Sequence, residues 1–238
     1  MDRSQAKRNA AVEAVRMIED GMTVGLGTGS TAAHVIELLG ERVARGLGIR
    51  GVATSEATAA MARAAGIPLV SLDQVENVDV TIDGADEITA DGSAIKGGGG
   101  ALLREKVVAA VTRRLRIAVV DESKIVKRLG TFPLPVEVIP FARAAVSRAI
   151  QRLGGEPDWR HKDGAAVLTD NGNHLLDARF GTRSDGEWAE IARALEAMPG
   201  VVAHGLFLDC FDLILVGDQG GVTPHGIVRA EPGRFPRL

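Results

Sequence analysis

The sequence contains no tyrosine, few aromatic residues and a single cysteine, and each shortage excludes a class of protein. Aromatic residues make up 3% of the 238 residues, so the core must be packed mainly from aliphatic side chains. Cys210 alone cannot form an intramolecular disulfide or a cysteine-based zinc cluster. A formal net charge of −3 excludes a protein that binds nucleic acid through an overall basic field.

Long apolar runs are also missing. None approaches the ~18 residues that a membrane-spanning helix requires, and the N-terminal residues 1–8 lack the apolar stretch of a signal peptide. We therefore expect a cytoplasmic protein without a membrane partner. Glycine, by contrast, is abundant, with 29 residues that are often clustered. Clustered glycines allow the backbone to approach a ligand closely, because no Cβ stands in the way.

The first half of the chain alternates between strand and helix patterns. Four short apolar runs predict buried strands: 23–26, 51–54, 78–82 and 117–120. Three segments have the spacing of amphipathic helices: 11–18, 32–39 and 56–65. We expect the second of these helices to stop at Gly40. This alternation predicts βαβ units and an α/β fold with a Rossmann-like parallel sheet flanked by helices.

The pattern changes near Thr131. The segment Phe132-Pro133-Leu134-Pro135 is expected to continue neither a helix nor a central strand, so we place a domain boundary there. The residues that follow predict strand, helix, strand, strand, helix and strand, in the order 136–139, 142–153, 165–168, 174–178, 187–197 and 201–207. This order is the ferredoxin-like motif, with a hairpin turn at Asn171-Gly172.

The apolar run 213–216 is expected to return to the first sheet. The prediction is thus a Rossmann-like catalytic domain formed by residues 1–130 and 208–238. A smaller ferredoxin-like α+β domain, residues 131–207, is inserted before the C-terminal strand.

The segment Gly25-Leu26-Gly27-Thr28-Gly29-Ser30-Thr31 lies where a predicted strand leads into a helix. Free backbone N–H groups, the positive end of a helix dipole and three hydroxyl groups together suit a phosphate. The segment is neither a dinucleotide fingerprint, since Ser30 takes the place of the third glycine, nor a Walker A loop, since the lysine is missing. A tight turn with Ser30 or Thr31 as helix N-cap is the alternative.

Three carboxylates, Asp83, Asp86 and Glu87, follow a predicted buried strand. Ligands of open α/β sheets bind at the carboxyl ends of strands, so these groups are candidates for a hard-metal site such as Mg²⁺ or for acid–base and hydroxyl-binding roles. A turn rich in aspartate is the alternative. The five histidines show no spacing typical of metal ligands.

The segment Lys96-Gly97-Gly98-Gly99-Gly100 precedes a predicted helix that carries Glu105. Four consecutive glycines favour a close-packed backbone whose amides can face an oxyanion, with Lys96 as a nearby cation. Glu105 is either a base facing this loop or a solvated glutamate paired with a neighbouring cation. Lys124 follows another predicted strand and either joins the same crevice or lies in a solvated turn.

These motifs, in this order and spacing, closely resemble the type A ribose-5-phosphate isomerase family. The resemblance extends from the first helix to about Val222 and is carried by six segments: 25–34, 82–87, 96–106, 132–140, 169–173 and 199–202. It implies an enzyme that interconverts ribose 5-phosphate and ribulose 5-phosphate in the non-oxidative pentose phosphate pathway, without metal or organic cofactor. The segments 156–165 and 180–187 and the tail after Val222 depart from the family pattern, which leaves the surface of the small domain and the oligomer open.

The resemblance also implies roles for individual residues. The catalytic candidates are Glu105, Asp83, Asp86 and Lys96. The residues expected to bind a sugar phosphate are Thr28, Gly29, Ser30, Thr31, Asp83, Gly84, Ala85, Asp86, Lys96, Gly97, Gly98, Gly99 and Lys124. No residue is expected to bind a metal, and a homodimer or homotetramer is expected.

An aldose–ketose isomerase needs one carboxylate that moves a proton between C2 and C1 of the open-chain sugar through a cis-enediolate. Glu105 is the expected base, with the amides of residues 97–100 and Lys96 stabilising the enediolate. Asp83 or Asp86 is expected to assist ring opening. Two alternatives are a sugar-phosphate-binding regulator domain and a CoA transferase with Glu105 as nucleophile, both of related fold.

Overall fold

The computed structural model describes residues 3–218, 221–226 and 235, so most of the predicted tail lies outside the described residues. Six α-helices are present: α1 Arg3–Arg16, α2 Ser30–Ala44, α3 Glu56–Ala64, α4 Leu102–Ala110, α5 Arg143–Arg152 and α6 Asp185–Glu196. The strands of the first half are β1 Thr23–Leu26, β2 Arg50–Ala53, β3 Val78–Asp83, β4 Glu87–Ile88, β5 Ala94–Ile95 and β6 Thr112–Asp121.

The strands of the second half are β7 Leu134–Val138, β8 Glu156–Trp159, β9 His161–Lys162, β10 Ala165–Ala166, β11 His174–Arg179, β12 Val201–His204, β13 Leu206–Phe207, β14 Leu213–Gly217 and β15 Val222–Gly226. Short 3₁₀ helices occupy Leu72–Gln74, Glu122–Lys124 and Pro140–Ala142. None of the helices in the described part of the chain has the length and apolar character needed to span a bilayer.

The large sheet has the order β15-β14-β6-β3-β1-β2, and all neighbours are parallel except β14 and β15. Strand β6 shows why helices cover both faces. Ile117 and Val119 belong to the core beneath α1 and α2, whereas Ala118 and Val120 belong to the core beneath α4. Because successive side chains of a strand point to opposite faces, both faces are buried, as the apolar runs predicted.

Helix α2 does not stop at Gly40, which corrects the prediction. The helix continues to Ala44, and Gly40 is buried within it. A Cβ at this position would lie 2.7 Å from the Cβ of Ala65. The glycine therefore permits close approach of α2 to the end of α3 and is not a helix terminator here.

The small sheet has the order β12-β7-β11-β8, with antiparallel neighbours throughout and helices α5 and α6 packed against it. The predicted βαββαβ order is confirmed, but its second strand is Glu156–Trp159. The predicted segment 165–168 instead contributes to the ribbon β9-β10 and to a bridge between Leu168 and His174. Strand β8 is a polar edge strand that contains Pro157, so it carries no apolar signal.

Pro135 lies in β7, a central strand, which is contrary to expectation. Its carbonyl accepts a hydrogen bond from the N–H of Gly205, just past the end of β12. The amide and carbonyl of one strand residue face the same neighbour, so the N–H that proline lacks would face the carbonyl of Gly205. That carbonyl accepts a hydrogen bond from the N–H of Lys96 instead, so it is not left without a donor and the proline is tolerated.

The predicted strand 201–207 is divided at Gly205 into β12 and β13. Strand β13 joins β5 and β4 in a separate three-stranded antiparallel sheet. The N–H of Lys96 donates to the carbonyl of Gly205, and a Cβ at Gly205 would lie 2.1 Å from the carbonyl oxygen of Lys96. This close crossing places Lys96 next to the start of the small sheet.

The predicted return of the chain to the large sheet is confirmed. Strand β14 pairs in parallel with β6, with Leu213 opposite Ile117 and Val216 opposite Val120. The fold is therefore a mixed, mainly parallel sheet flanked by helices, with small antiparallel sheets formed before the chain returns to the large sheet.

Candidate active site

Four segments meet at the carboxyl ends of the parallel strands and enclose a cleft of about 130 Å³. They are the turn after β1, the turn after β3, the segment after β6, and the glycine loop of residues 96–100 before α4. Every residue expected to bind substrate lines this cleft except Asp83, which lies beneath it. Lys7, Val120 and Asp121 also line the cleft and were not predicted.

A group of three buried charges forms the floor of the cleft. The Nζ of Lys96 lies 2.9 Å from Oδ2 of Asp83 and 3.4 Å from Oε2 of Glu105, and it donates to the carbonyl of Gly84. Each of the three charged residues is at most 4% exposed. Asp83 is further held by backbone N–H groups of Thr28 and Gly84, so its side chain is fully engaged by the protein.

The environment raises the pKa of Glu105 to about 8, because burial penalises its charge and Asp83 repels it, while Lys96 acts in the opposite direction. Burial also raises the pKa of Asp83. Burial opposes the charge of Lys96, but the attraction of Asp83 and Glu105 prevails and raises its pKa. Within the described part of the chain, Oε2 of Glu105 has no hydrogen-bond partner. A carboxyl with this pKa beside a cleft can accept a proton near neutral pH.

The glycine loop presents some of its amides to the cleft and uses others internally. The N–H of Gly98 donates to Oδ2 of Asp86 over 2.7 Å, and the N–H of Gly100 donates to the carbonyl of Gly97. The N–H of Gly99 has no acceptor among the described residues. A Cβ at Gly98 would lie 2.6 Å from Oδ1 of Asp86, so this contact requires glycine. Of the expected 97–100 amides, those of Gly98 and Gly100 are thus already occupied.

The other end of the cleft is cationic and rich in hydrogen-bond donors. Helix α2 begins at Ser30, after Gly29 with φ 111°, and no side chain caps it. The Nζ of Lys7, on α1, donates to Oγ of Ser30 and lies 3.8 Å from Oδ2 of Asp121. Lys124 also lines this end. Helix dipole, hydroxyls and two lysines from separate elements suit a dianionic phosphate.

Not all predicted residues face this site in the same way. The hydroxyl of Thr28 is hydrogen-bonded to those of Thr54 and Ser55, towards α3. Glu87 points away and accepts N–H groups of Gly130 and Phe132 at 2.8 and 2.6 Å. The three carboxylates of segment 82–87 therefore do not converge.

The sequence around Lys7 gave no indication that this residue belongs to a binding site, because a lysine on an amphipathic helix is typical of solvated surfaces. Val120 and Asp121 are the last two residues of β6, and no motif in the sequence marked them as binding residues. The packing of α1 against α2, β14 and β6 brings Lys7 to the crevice. Its proximity to Ser30 could not be found without the arrangement of the elements.

Comparisons with known proteins agree with this geometry. A sequence model of the family "Ribose 5-phosphate isomerase A (phosphoriboisomerase A)" matches residues 50–221. The chain is 49% identical over 232 residues to the ribose-5-phosphate isomerase A of Bradyrhizobium diazoefficiens, covering 92% of this chain and 95% of that protein. It is 50% identical over 224 residues to the ribose-5-phosphate isomerase A of Gloeobacter violaceus, covering 93% of this chain and 96% of that protein.

Solved structures show the same relationship. A D-ribose-5-phosphate isomerase in complex with phospho-erythronic acid superimposes with a TM-score of 0.89 and 40% identity, covering 94% of this chain and 99% of that chain. Ribose 5-phosphate isomerase A from Methanocaldococcus jannaschii superimposes with a TM-score of 0.86 and 43% identity, covering 92% of this chain and 97% of that chain. The resemblance inferred from the sequence motifs is confirmed: the chain belongs to the ribose-5-phosphate isomerase A family.

Proposed function

We propose that this protein is an aldose–ketose isomerase that interconverts D-ribose 5-phosphate and D-ribulose 5-phosphate. Family membership supports this activity. The observation that carries the proposal is the pairing of two features in one cleft: the buried carboxyl of Glu105 at one end and the cationic, hydroxyl-rich start of α2 at the other. A phosphorylated sugar held at the second end extends its C1 and C2 towards the first.

In this proposal Glu105 is the base. It removes the proton from C2 of the open-chain aldose, and a cis-enediolate forms as the electron pair moves towards the C1 oxygen. The hydroxyl proton of C2 passes to the C1 oxygen, and the same carboxyl delivers its proton to C1 as the C2–O bond becomes the carbonyl of the ketose. One base suffices because C1 and C2 are adjacent, and a pKa of about 8 allows both acceptance and return of the proton.

The enediolate charge is met by donors that are present before the reaction begins. The free N–H of Gly99 and the ammonium of Lys96 are the candidates. Preorganised donors in a site that excludes water stabilise developing charge strongly. Asp83, which is engaged with Lys96 and two backbone amides, orients that lysine, while the more accessible Asp86 is the candidate for proton transfer in ring opening.

The phosphate is proposed to bind the N-terminus of α2, with Ser30, Thr31, Lys7 and Lys124 as its contacts. A helix N-terminus and two ammonium groups favour an anion of this charge. The steps described need only a proton acceptor, a proton donor and oxyanion donors, all of which the chain supplies. The proposal therefore includes no metal or organic cofactor.

Three further expectations belong to the same proposal. The Rossmann-like domain comprises residues 1–130 and 208–238, and the small domain residues 131–207. The protein acts in the cytoplasm on a small sugar phosphate, and it assembles as a homodimer or homotetramer.

The test is conversion of ribose 5-phosphate in the presence of EDTA, followed by NMR in deuterated water. We expect ribulose 5-phosphate to form and deuterium to appear at the carbon that receives the proton. The matched incubation contains an acyl-CoA and a carboxylic acid. A thioester on Glu105 without sugar turnover would replace the isomerase by a CoA transferase, and sugar-phosphate binding without turnover would indicate a regulator.

A further inference from the structure

Arg160 lies outside the cleft and donates hydrogen bonds to the backbone of the glycine loop. It follows β8 in the small sheet, and its backbone N–H donates to the carbonyl of Leu175. Its Nε and one terminal nitrogen donate to the two carboxylate oxygens of Asp177 on β11. This two-point pairing fixes the plane of the guanidinium, because both groups are planar and match in spacing.

The remaining terminal nitrogen of Arg160 reaches across to the glycine loop. It donates to the carbonyl oxygen of Gly97 over 3.0 Å and to that of Gly98 over 3.1 Å. Two consecutive carbonyls of the loop therefore point at one cation. The small sheet is connected in this way to the backbone that faces the substrate.

The direction of these carbonyls sets the direction of the amides. All peptide bonds that the structure describes are trans, and in a trans peptide the N–H points away from the preceding carbonyl. With the carbonyls of Gly97 and Gly98 turned towards Arg160, the N–H groups of Gly98 and Gly99 turn to the opposite side. The N–H of Gly98 meets Asp86, which lines the cleft, so the opposite side is the substrate side.

We propose that Arg160 is a positioning residue that holds the glycine loop with the N–H of Gly99 directed at the enediolate. This inference rests on the isomerase function proposed above. Consecutive glycines impose little preference on their peptide planes, as the φ of 104° at Gly97 and 85° at Gly100 illustrates. An oxyanion donor is effective only if its direction is set before charge develops, and a fixed guanidinium on the outer side of the loop sets it.

A structural role alone would have a different signature. If Arg160 only joined the small sheet to the rest of the protein, its loss would lower thermal stability and reduce the amount of active enzyme. In the part of the chain that the structure describes, the hydrogen bonds of Arg160 go to Leu175, Asp177 and the glycine loop and not to the phosphate end of the cleft, so a positioning role changes kcat and leaves KM nearly unchanged. A role in substrate binding would raise KM instead.

The experiment compares Arg160→Met with Arg143→Met as a matched control. Arg143 is also half-buried on the small domain, where its guanidinium stacks on Trp159 at 4.5 Å, but it does not touch the glycine loop. We expect Arg160→Met to lower kcat by about 10- to 100-fold with little change in KM, the size of effect that a misplaced oxyanion donor causes. The control should retain the wild-type kcat.

A second readout is inhibition by phospho-erythronic acid, whose carboxylate bears charge as the enediolate does. We expect its inhibition to weaken in Arg160→Met by a factor similar to the loss in kcat. If Arg160→Met fails to fold, Arg160→Lys decides the question. An ammonium can pair with Asp177 but has no second nitrogen that reaches the carbonyls of Gly97 and Gly98 at the same time, so the kcat of Arg160→Lys should fall while its melting temperature stays close to wild type.

The proposal is overturned if folded Arg160→Met or Arg160→Lys has the same kcat as Arg143→Met, or if only KM changes. Wild-type protein is assayed in parallel to separate the two levels of inference. Wild-type turnover with unaffected Arg160 variants contradicts the positioning role alone. A wild-type protein that does not convert ribose 5-phosphate contradicts the isomerase function and, with it, the role of Arg160.

Discussion

Glu105 and Glu137 are both buried glutamates, one on α4 beside the cleft and the other on the central strand β7 of the small sheet. Each has one carboxylate oxygen, Oε2, for which the described residues provide no hydrogen-bond partner. Their surroundings differ. Glu105 lies beside Lys96 and close to Asp83, and it faces an open cleft. Glu137 is fully buried, and its Oε1 accepts hydrogen bonds from Thr169, Asn171 and Asn173.

The three donors to Glu137 are neutral side chains of one loop, and all of them bind Oε1 of the carboxylate. These hydrogen bonds order the turn between β10 and β11. Asn171 of this turn also accepts from Arg104, the residue that precedes Glu105. Burial is thus shared by both glutamates and does not distinguish the proposed base from a structural acid. Charged neighbours and access to a cleft do.

The largest expected effect is on catalysis, through Glu105→Gln. This variant keeps the size of the side chain but removes the proton acceptor. General-base catalysis contributes about 10²–10⁴-fold, so we expect kcat and the exchange of the C2 proton with solvent to fall by at least this factor. Circular dichroism should show an unchanged fold. A folded variant that exchanges the C2 proton at the original rate would transfer the role of base to Asp83 or Asp86.

A smaller effect is expected at the phosphate end of the same cleft. Replacing Ser30 and Thr31 by Ala removes two hydroxyls that would donate to the phosphate, and each such hydrogen bond in an open cleft contributes a net of about 0.5–1.5 kcal/mol. KM for ribose 5-phosphate should rise about 10- to 100-fold, and inhibition by inorganic phosphate should weaken in parallel. Unchanged values of both constants would contradict the phosphate site. The melting temperature serves as the control.

Glu137→Gln tests the other half of the comparison. A neutral amide accepts hydrogen bonds less strongly than a carboxylate, and its NH₂ group must occupy one of two positions without an acceptor. We expect the free energy of unfolding to fall by about 1–3 kcal/mol, measured by urea denaturation. Activity should fall less than in Glu105→Gln. If Glu137→Gln abolished turnover while leaving stability intact, the distinction between the two glutamates would fail.

The smallest expected effect is the contribution of Glu105 to the pH dependence of stability. Its pKa is raised from 4.5 to about 8 in the folded protein, so between these values the folded state binds more protons than the unfolded state. The free energy of unfolding therefore decreases as pH rises through this window. Glu105→Gln lacks this loss, and its stability relative to wild type should increase by about 1 kcal/mol or more from pH 5 to pH 8.5. A difference that is constant with pH would contradict the raised pKa.

Much of the fold followed from the amino-acid sequence. The runs 23–26, 78–82, 117–120 and 213–216 predicted buried strands, because a sheet covered on both faces requires continuous apolar residues. Predictions for individual residues failed where the role of the residue depends on its neighbours in the folded protein. Gly40 serves a helix contact, Pro135 faces a carbonyl that accepts from another donor, and β8 is a polar edge strand.

The contents of the cleft were also largely readable, because residues 27–31, 83–86 and 96–105 are contiguous segments whose chemistry is local. What only the tertiary structure decided is how these groups act. Burial beside Asp83 raises the pKa of Glu105, Asp86 occupies the amide of Gly98, and Lys7 and Arg160 reach the site from distant elements. A pKa and the direction of an amide depend on neighbours from several segments, and those neighbours are brought together only by the packing of the sheets and helices.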